Sequence, residues 1–450
     1  MKPTGWVLLL SWFWTLSVTA QDTLTLIPEN FQPQWMLLRY LKGAKTYYLT
    51  SADSVRRGRP VHFILQGQPA GEYAVQYDVN HARGFRFIYN HENVRIAFDP
   101  RHKYAARVER SRENRVYFAF LHKWDSLRRQ INRLRSAYIR QADPALQARY
   151  RALRNQYEAL FDRYRQSDST LMAWHFIRAR YKRLPDSLLP TKEADARFAQ
   201  AHYFDGIDMN DTVLYRSNLL TDRILTYVLK IPVPAFGRER TQTYLNRIRQ
   251  VFDRLHYPPM RAEMLEGLMQ VFNRQDRIVT DTLLAYYHRM PAAYQNHAFE
   301  ESLKRAPVPV KGEKLPVAQI SALGKWHLNP AKKYHLFVFY ASDCPHCRRA
   351  LPAVYKRLLH AKNIDVTAIG LESDALHWQN FIKPLKGWQH LMASGTAYGG
   401  IIADYGIEYT PTWFLTDNKL QILEKVTGES DIQKLLDYYR LGASVPVKKQ

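Results

Sequence analysis

The chain has 450 residues, more than one hydrophobic core usually serves, so two or three domains are expected. Apolar residues at 46% and aromatics at 13% exclude a largely disordered chain. The formal charge of +24 is concentrated, because residues 101–183 carry 21 basic against 7 acidic side chains while residues 313–450 carry 17 against 12.

Residues 1–20 read as a secretory signal peptide. Lys2 supplies the positive start, residues 6–14 the apolar run, and Val18-Thr19-Ala20 a cleavage site before Gln21. The run is short for a bilayer span, with an uncleaved anchor as the alternative. With no cysteine near the cleavage point, lipid attachment through one there is excluded. The protein is therefore expected to be exported, to the periplasm or cell envelope, and export disfavours nucleic acid as a partner despite the charge.

Residues 21–115 read as a small antiparallel β domain. Candidate strands are 46–50, 61–66, 73–77, 85–89 and 94–98, punctuated by Gly67, Pro69-Ala70-Gly71 and Asn80-His81. No catalytic constellation is visible in it.

From 116 to 304 the period becomes helical, and the stretch reads as an all-α domain. Trp124, Leu127, Ile131, Leu134 and Tyr138 follow 3-4 spacing, as do Leu146, Tyr150, Leu153, Tyr157, Leu160 and Tyr164. Asp143-Pro144 between them is an N-cap followed by proline at the first helical position, so the pair reads as an antiparallel hairpin with Arg-rich outer faces. Those faces are either a solvated surface or a site for an anionic partner such as lipid headgroups or a polyanion. Further helices are expected at about 170–182, 194–203, 218–230, 240–255, 259–273 and 279–288.

Residues 305–318 form a Pro-rich connector, expected to be extended and stiff. Beyond it, 319–450 alternates strand and helix. Strands are expected at 335–340, 366–371, 413–416 and 421–426, with helices at 347–360, 376–383, 401–405 and 432–441.

The two cysteines of the chain are Cys344 and Cys347. They follow a continuous apolar strand and open a helix. Unpaired N–H groups and the helix dipole favour an anion there, so the Cys344 thiolate is stabilised, and one turn brings Cys347 within reach to resolve a mixed disulfide. A disulfide closing so short a loop does little for stability, so thiol chemistry is the better reason for the pair. A structural zinc site would need about four ligands, and His335 and His360 are not at finger spacing. A peroxiredoxin would need threonine and proline before its cysteine, where Ala341-Ser342-Asp343 stands. No cofactor or metal is called for.

Residues 312–441 resemble the secreted thioredoxin-like thiol–disulfide oxidoreductases of the TlpA/ResA type. The matching features are the strand before Cys344-Pro345-His346-Cys347, Pro352 five residues on, Thr410-Pro411 before a strand, and the closing hairpin and helix. The N-terminal regions are similar in layout to modules of unknown role attached to some secreted thioredoxins. The resemblance implies a thioredoxin fold, with Cys344 as nucleophile and Cys347 as resolving thiol. It implies Pro411 as a cis-proline beside the sulfurs, with the Thr410 backbone left to pair with a substrate peptide. Protein disulfides and dithiols become the substrates, alongside an unidentified envelope electron donor or acceptor.

Pro345 and His346 would tune the pair. A protonated histidine there lowers the Cys344 pKa and makes the pair more oxidising, and the dipeptide is that of strongly oxidising thioredoxin-like oxidases. The family resemblance leans instead towards the reductase direction. Val338 and Ala350 stand where relatives carry acidic groups, and Asp343 replaces the usual tryptophan, which leaves Glu372 as the candidate proton acceptor. The reading from a different class is an envelope protein that binds a partner and uses the thioredoxin domain as a scaffold.

Overall fold

The computed structural model describes residues 22–78, 83–99, 106–304 and 308–442. The expected signal peptide, the turn at Asn80-His81 and the first residues of the Pro-rich connector lie outside them. The chain forms two compact units, Met1–Leu219 and Leu220–Gln450, so the helical stretch expected as one domain over 116–304 is shared between them.

The first unit opens as a sandwich of two four-stranded sheets. Its strands are β1 (Thr23–Pro28), β2 (Trp35–Lys42), β3 (Lys45–Asp53), β4 (Val61–Ile64), β5 (Gly71–Asp78), β6 (Arg83–Tyr89), β7 (Val94–Phe98) and β8 (Arg107–Arg110). They pair in the orders β4-β1-β7-β8 and β3-β2-β5-β6. Pairing is antiparallel, as expected, except where β1 runs parallel to β7. Leu24, Leu26 and Ile96 of one sheet meet Leu38, Val75 and Phe87 of the other in a shared core, the ordinary result of alternating inward residues.

Helices α1 (Arg112–Arg140) and α2 (Pro144–Asp168) make the expected hairpin. Asp143 Oδ1 accepts from the Ala145 amide at 2.8 Å and Pro144 takes the first turn, so the sequence signal for the reversal is used as read. The Phe120 ring packs 5.2 Å from Phe161 and 5.5 Å from Tyr164, and of the evenly spaced aromatics Tyr150, Tyr157 and Tyr164 are core while Trp124 and Tyr138 are half-buried. Short helices α3 (Met172–Arg178) and α4 (Lys192–Ala201) complete the unit.

The second unit begins within α5 (Leu219–Leu225), which continues as a π turn at Thr226–Lys230. Then come α6 (Gly237–Phe252), α7 (Pro258–Phe272), α8 (Arg277–Tyr287), α9 (His297–Lys304) and α10 (Ala318–Ala322). The rest is β9 (Tyr334–Tyr340), α11 (Pro345–Leu358), β10 (Ile364–Leu371), α12 (Ala375–Ile382), β11 (Gln389–Ala393), α13 (Thr396–Tyr405), β12 (Thr412–Asp417), β13 (Ile422–Thr427) and α14 (Glu429–Tyr438). The sheet order is β11-β10-β9-β12-β13, with β9, β10 and β11 parallel and β12 and β13 antiparallel to their neighbours.

Strand β9 is central and buried on both faces, as its unbroken apolar run requires. Leu336, Val338 and Tyr340 join the core with α11 and α14, whereas Phe337 and Phe339 join the core that includes Ile401 and Tyr405 of α13. This is the α/β thioredoxin-like arrangement.

The connector differs from its expectation. Val310 and Leu315 are buried, and the backbone of 311–315 is bonded into the fold. Arg277 N donates to Lys311 O at 2.9 Å, Gly312 N to Ile422 O at 2.9 Å and Leu315 N to Leu420 O at 2.9 Å. Alternate residues between the prolines retain N–H groups, so an extended Pro-rich run can add to a neighbouring strand instead of bridging through solvent.

Candidate active site

Strand β9 delivers the chain to a three-residue loop, Ala341-Ser342-Asp343, and Cys344 follows as the N-cap of α11. Pro345 occupies the first turn, where its missing N–H leaves no partner unsatisfied. No side-chain oxygen caps this helix start. The sulfur of Cys344 occupies that position instead, half-buried, while Cys347 one turn on is fully buried. Both cysteines are free thiols.

The two sulfurs differ in acidity for physical reasons. At Cys344 burial works to raise the pKa, but hydrogen bonding with Thr410, with Cys347 and with the backbone of His346 and Cys347 outweighs it, and the thiol is held below its ordinary value. At Cys347 burial dominates and the neighbouring Cys344 adds to it, so this thiol is pushed up to about 12. One sulfur is poised to be an anion and the other to hold its proton.

Thr410 and Pro411 reach the same place from the start of the neighbouring strand β12, whose Thr412 pairs with Phe339 near the end of β9. The Thr410–Pro411 peptide bond is cis. In the thiol form Cys344 Sγ donates to the Thr410 carbonyl at 3.5 Å. The Gly428 amide donates to the Pro411 carbonyl at 3.2 Å, which ties this loop to the end of β13. The structure thus brings Cys344, Cys347, Thr410 and Pro411 together.

Two other sequence-nominated residues sit differently. His346 is exposed, and Arg349 Nη2 donates to its Nδ1 at 2.9 Å. Glu372 is buried at the end of β10, and both its oxygens are taken by Ser342, from the amide at 2.7 Å and from the hydroxyl at 2.7 Å. Burial raises its pKa despite those bonds. Its carboxylate therefore pins the loop that presents Cys344. Ser342 was not singled out in the sequence; a small hydroxyl residue two before the first cysteine was the available signal. Val338 and Ala350 are buried in the core.

Residues 314–438 match the Redoxin family. A comparison with curated proteins finds no match. Solved structures similar to part of the chain include a domain of a possible thiol-disulfide isomerase from Cytophaga hutchinsonii, 26% identical over 30% of this chain and 95% of that one, with a TM-score of 0.25. StoA from Bacillus subtilis is 22% identical over 25% of this chain and 84% of that one, with a TM-score of 0.21. A thiol-disulfide oxidoreductase from Bacteroides fragilis is 26% identical over 24% of this chain and 81% of that one, with a TM-score of 0.20.

Proposed function

We propose that the protein is an exported thiol–disulfide oxidoreductase whose Redoxin segment reduces protein disulfides through Cys344 and Cys347. The observation that carries this reading is the split between the two thiols, one accessible and acidic, the other buried and basic. The Cys344 thiolate attacks a substrate disulfide, forms a mixed disulfide and releases one substrate thiolate. Cys347 then gives up its proton and attacks Cys344 Sγ, which releases the second substrate sulfur as a thiol. The substrate gains two electrons and the protein ends with a Cys344–Cys347 disulfide, to be reduced by an envelope electron donor. The Thr410 backbone lies beside Cys344, where it supports pairing with a substrate strand. Glu372 acts as a positioning residue through Ser342.

A second reading, in which the pair donates its disulfide as an oxidase or isomerase, is favoured by the lowered pKa of Cys344, since a stabilised thiolate stabilises the reduced form. The reduction potential separates the two. A value near about −270 mV supports the reductase and one near about −120 mV the oxidase. Purified full-length protein is expected to accelerate insulin disulfide reduction by dithiothreitol; no acceleration would leave the partner-binding scaffold as the better account.

Export rests on residues 1–20. Among the described residues no helix is long and apolar enough to cross a membrane. The outer faces of α1 and α2 expose Arg133, Arg140, Arg149, Arg151 and Arg163, none of them ion-paired among the described residues, and these supply a surface for anionic headgroups. Co-sedimentation with anionic liposomes at low salt tests it, and absence of binding there removes it.

A further inference from the structure

Within the second unit, α6, the turn before α8, residue 310 and β13 border a cavity of about 210 Å³. Its lining includes Arg240, Arg274, Asp276 and Lys425. A single water needs only ~10–15 Å³, whereas pockets for drug-sized ligands run from about 300 Å³ upwards. The space therefore suits a ligand of a few heavy atoms.

The charges around it are unevenly matched. Glu424 is fully buried and is shared by two cations: Arg240 Nη2 donates to one oxygen at 2.6 Å and Lys311 Nζ to the other at 3.0 Å. Asp276 spends its oxygens on the Thr241 hydroxyl and on the amides of Ile278 and Val279. Arg274 meets Glu408 at 3.3 Å, a pair exposed on both sides and so worth little.

Lys425 hydrogen-bonds neutral acceptors, and the Glu408 carboxylate, already engaged by Arg274, acts on it only from beyond ion-pair distance. Its Nζ donates to the carbonyls of Tyr405 at 3.0 Å and Gly406 at 3.2 Å and lies 4.9 Å from the Phe414 ring centroid. Among the described residues no carboxylate forms an ion pair with it. Burial pushes its amine down to about 8, so most of it still carries a charge at neutral pH. Charges in such surroundings ordinarily have a counter-charge.

We propose that this cavity binds a small oxyanion, a carboxylate or phosphate group, held by Lys425 and Arg274 with Arg240 at its inner wall. The site lies on side chains that the thiol chemistry does not use. An anion there would complete the coordination of Lys425 and replace the weak contact of Arg274 with Glu408. Phosphate and carboxylate share this chemistry and differ in charge and size, which a titration can distinguish.

The full-length protein is titrated calorimetrically with inorganic phosphate and, separately, with succinate, each against chloride at matched ionic strength. At least one oxyanion is expected to bind saturably, and Arg274→Gln and Lys425→Met are each expected to weaken it at least tenfold. Labelling of Lys425 by an amine-directed reagent at pH 8, read by mass spectrometry, is expected to slow severalfold when that oxyanion is present. Should Lys425→Met fail to fold, the exposed Arg274→Gln variant and the labelling decide the matter. The proposal is overturned if neither oxyanion binds better than chloride, or if Arg274→Gln binds unchanged and Lys425 labelling is not slowed.

Discussion

Helices α1 and α11 each follow a strand closely, yet their first turns are built in opposite ways. At α1 the start is saturated with acceptors. Ser111 Oγ accepts from the Asn114 amide at 3.0 Å, and Glu92 accepts from the amides of Arg112 at 3.1 Å and Glu113 at 3.4 Å. Asn114 in turn closes on the sandwich, taking the Ile88 amide at 2.8 Å and donating to the Ile88 carbonyl at 2.6 Å. At α11 no oxygen caps the helix, and a polarisable sulfur faces the same kind of unpaired amides. A helix start filled with oxygen is a fixture, whereas one left to a thiol is a reagent.

The sharpest way to break this contrast is to give α11 the cap of α1. Cys344→Ser is expected to reduce insulin-disulfide exchange to the uncatalysed rate, while the urea midpoint stays constant or rises by an amount worth up to about 1 kcal/mol, since serine is a good N-cap. Cys347→Ser should instead trap substrates as mixed disulfides visible on non-reducing gels. Full exchange activity in Cys344→Ser would overturn the choice of nucleophile.

A lowered pKa means that thiolate is present at lower pH, so iodoacetamide should modify Cys344 with a midpoint below that of an ordinary thiol. Cys347, raised to about 12, should stay unmodified in the native protein across the same range. Equal reactivity of the two would show that the asymmetry is absent in solution.

On the other side of the comparison, Asn114→Ala leaves both polar groups of Ile88 buried without this partner. The expected loss is about 2–4 kcal/mol in urea denaturation. Smaller effects follow at the supporting positions. Glu372→Gln keeps one good acceptor for the two donors of Ser342, and exchange should slow severalfold for about 1 kcal/mol of stability. Ser111→Ala should cost about 1 kcal/mol with exchange unchanged, and a loss of exchange there would contradict a purely structural role.

What could be read in advance was whatever the chain states locally. The unbroken run of β9 signalled a strand buried on both faces, and Asp143-Pro144 marked the reversal between α1 and α2. The Cys-Pro-His-Cys spacing placed both sulfurs on the first turn of a helix. The missed strands were β1, whose six residues end in proline, the eight-residue β2, the short Arg-rich β8, and β11, where Gln389-His390 opens an edge strand without a β-branched residue. Glu372 stood out as a carboxylate, but only the fold reveals that Ser342, 30 residues earlier, occupies both its oxygens. Glu424-Lys425 reads as the charged dressing of an edge strand. Its burial depends on the Gly237 amide and Lys311, 187 and 113 positions away, which no local pattern can announce.

That buried carboxylate decides where the Redoxin segment can be cut. The Redoxin match starts at residue 314, yet Glu424 takes its hydrogen bonds from Gly237, Arg240 and Lys311, all upstream of that point. A fragment beginning at the match would retain both sulfurs and strand a desolvated anion inside its own edge strand, a defect of about 3–5 kcal/mol. The smallest self-sufficient fragment that carries both sulfurs should begin before α6, and the helices from Gly237 onward belong to it as much as the sheet does.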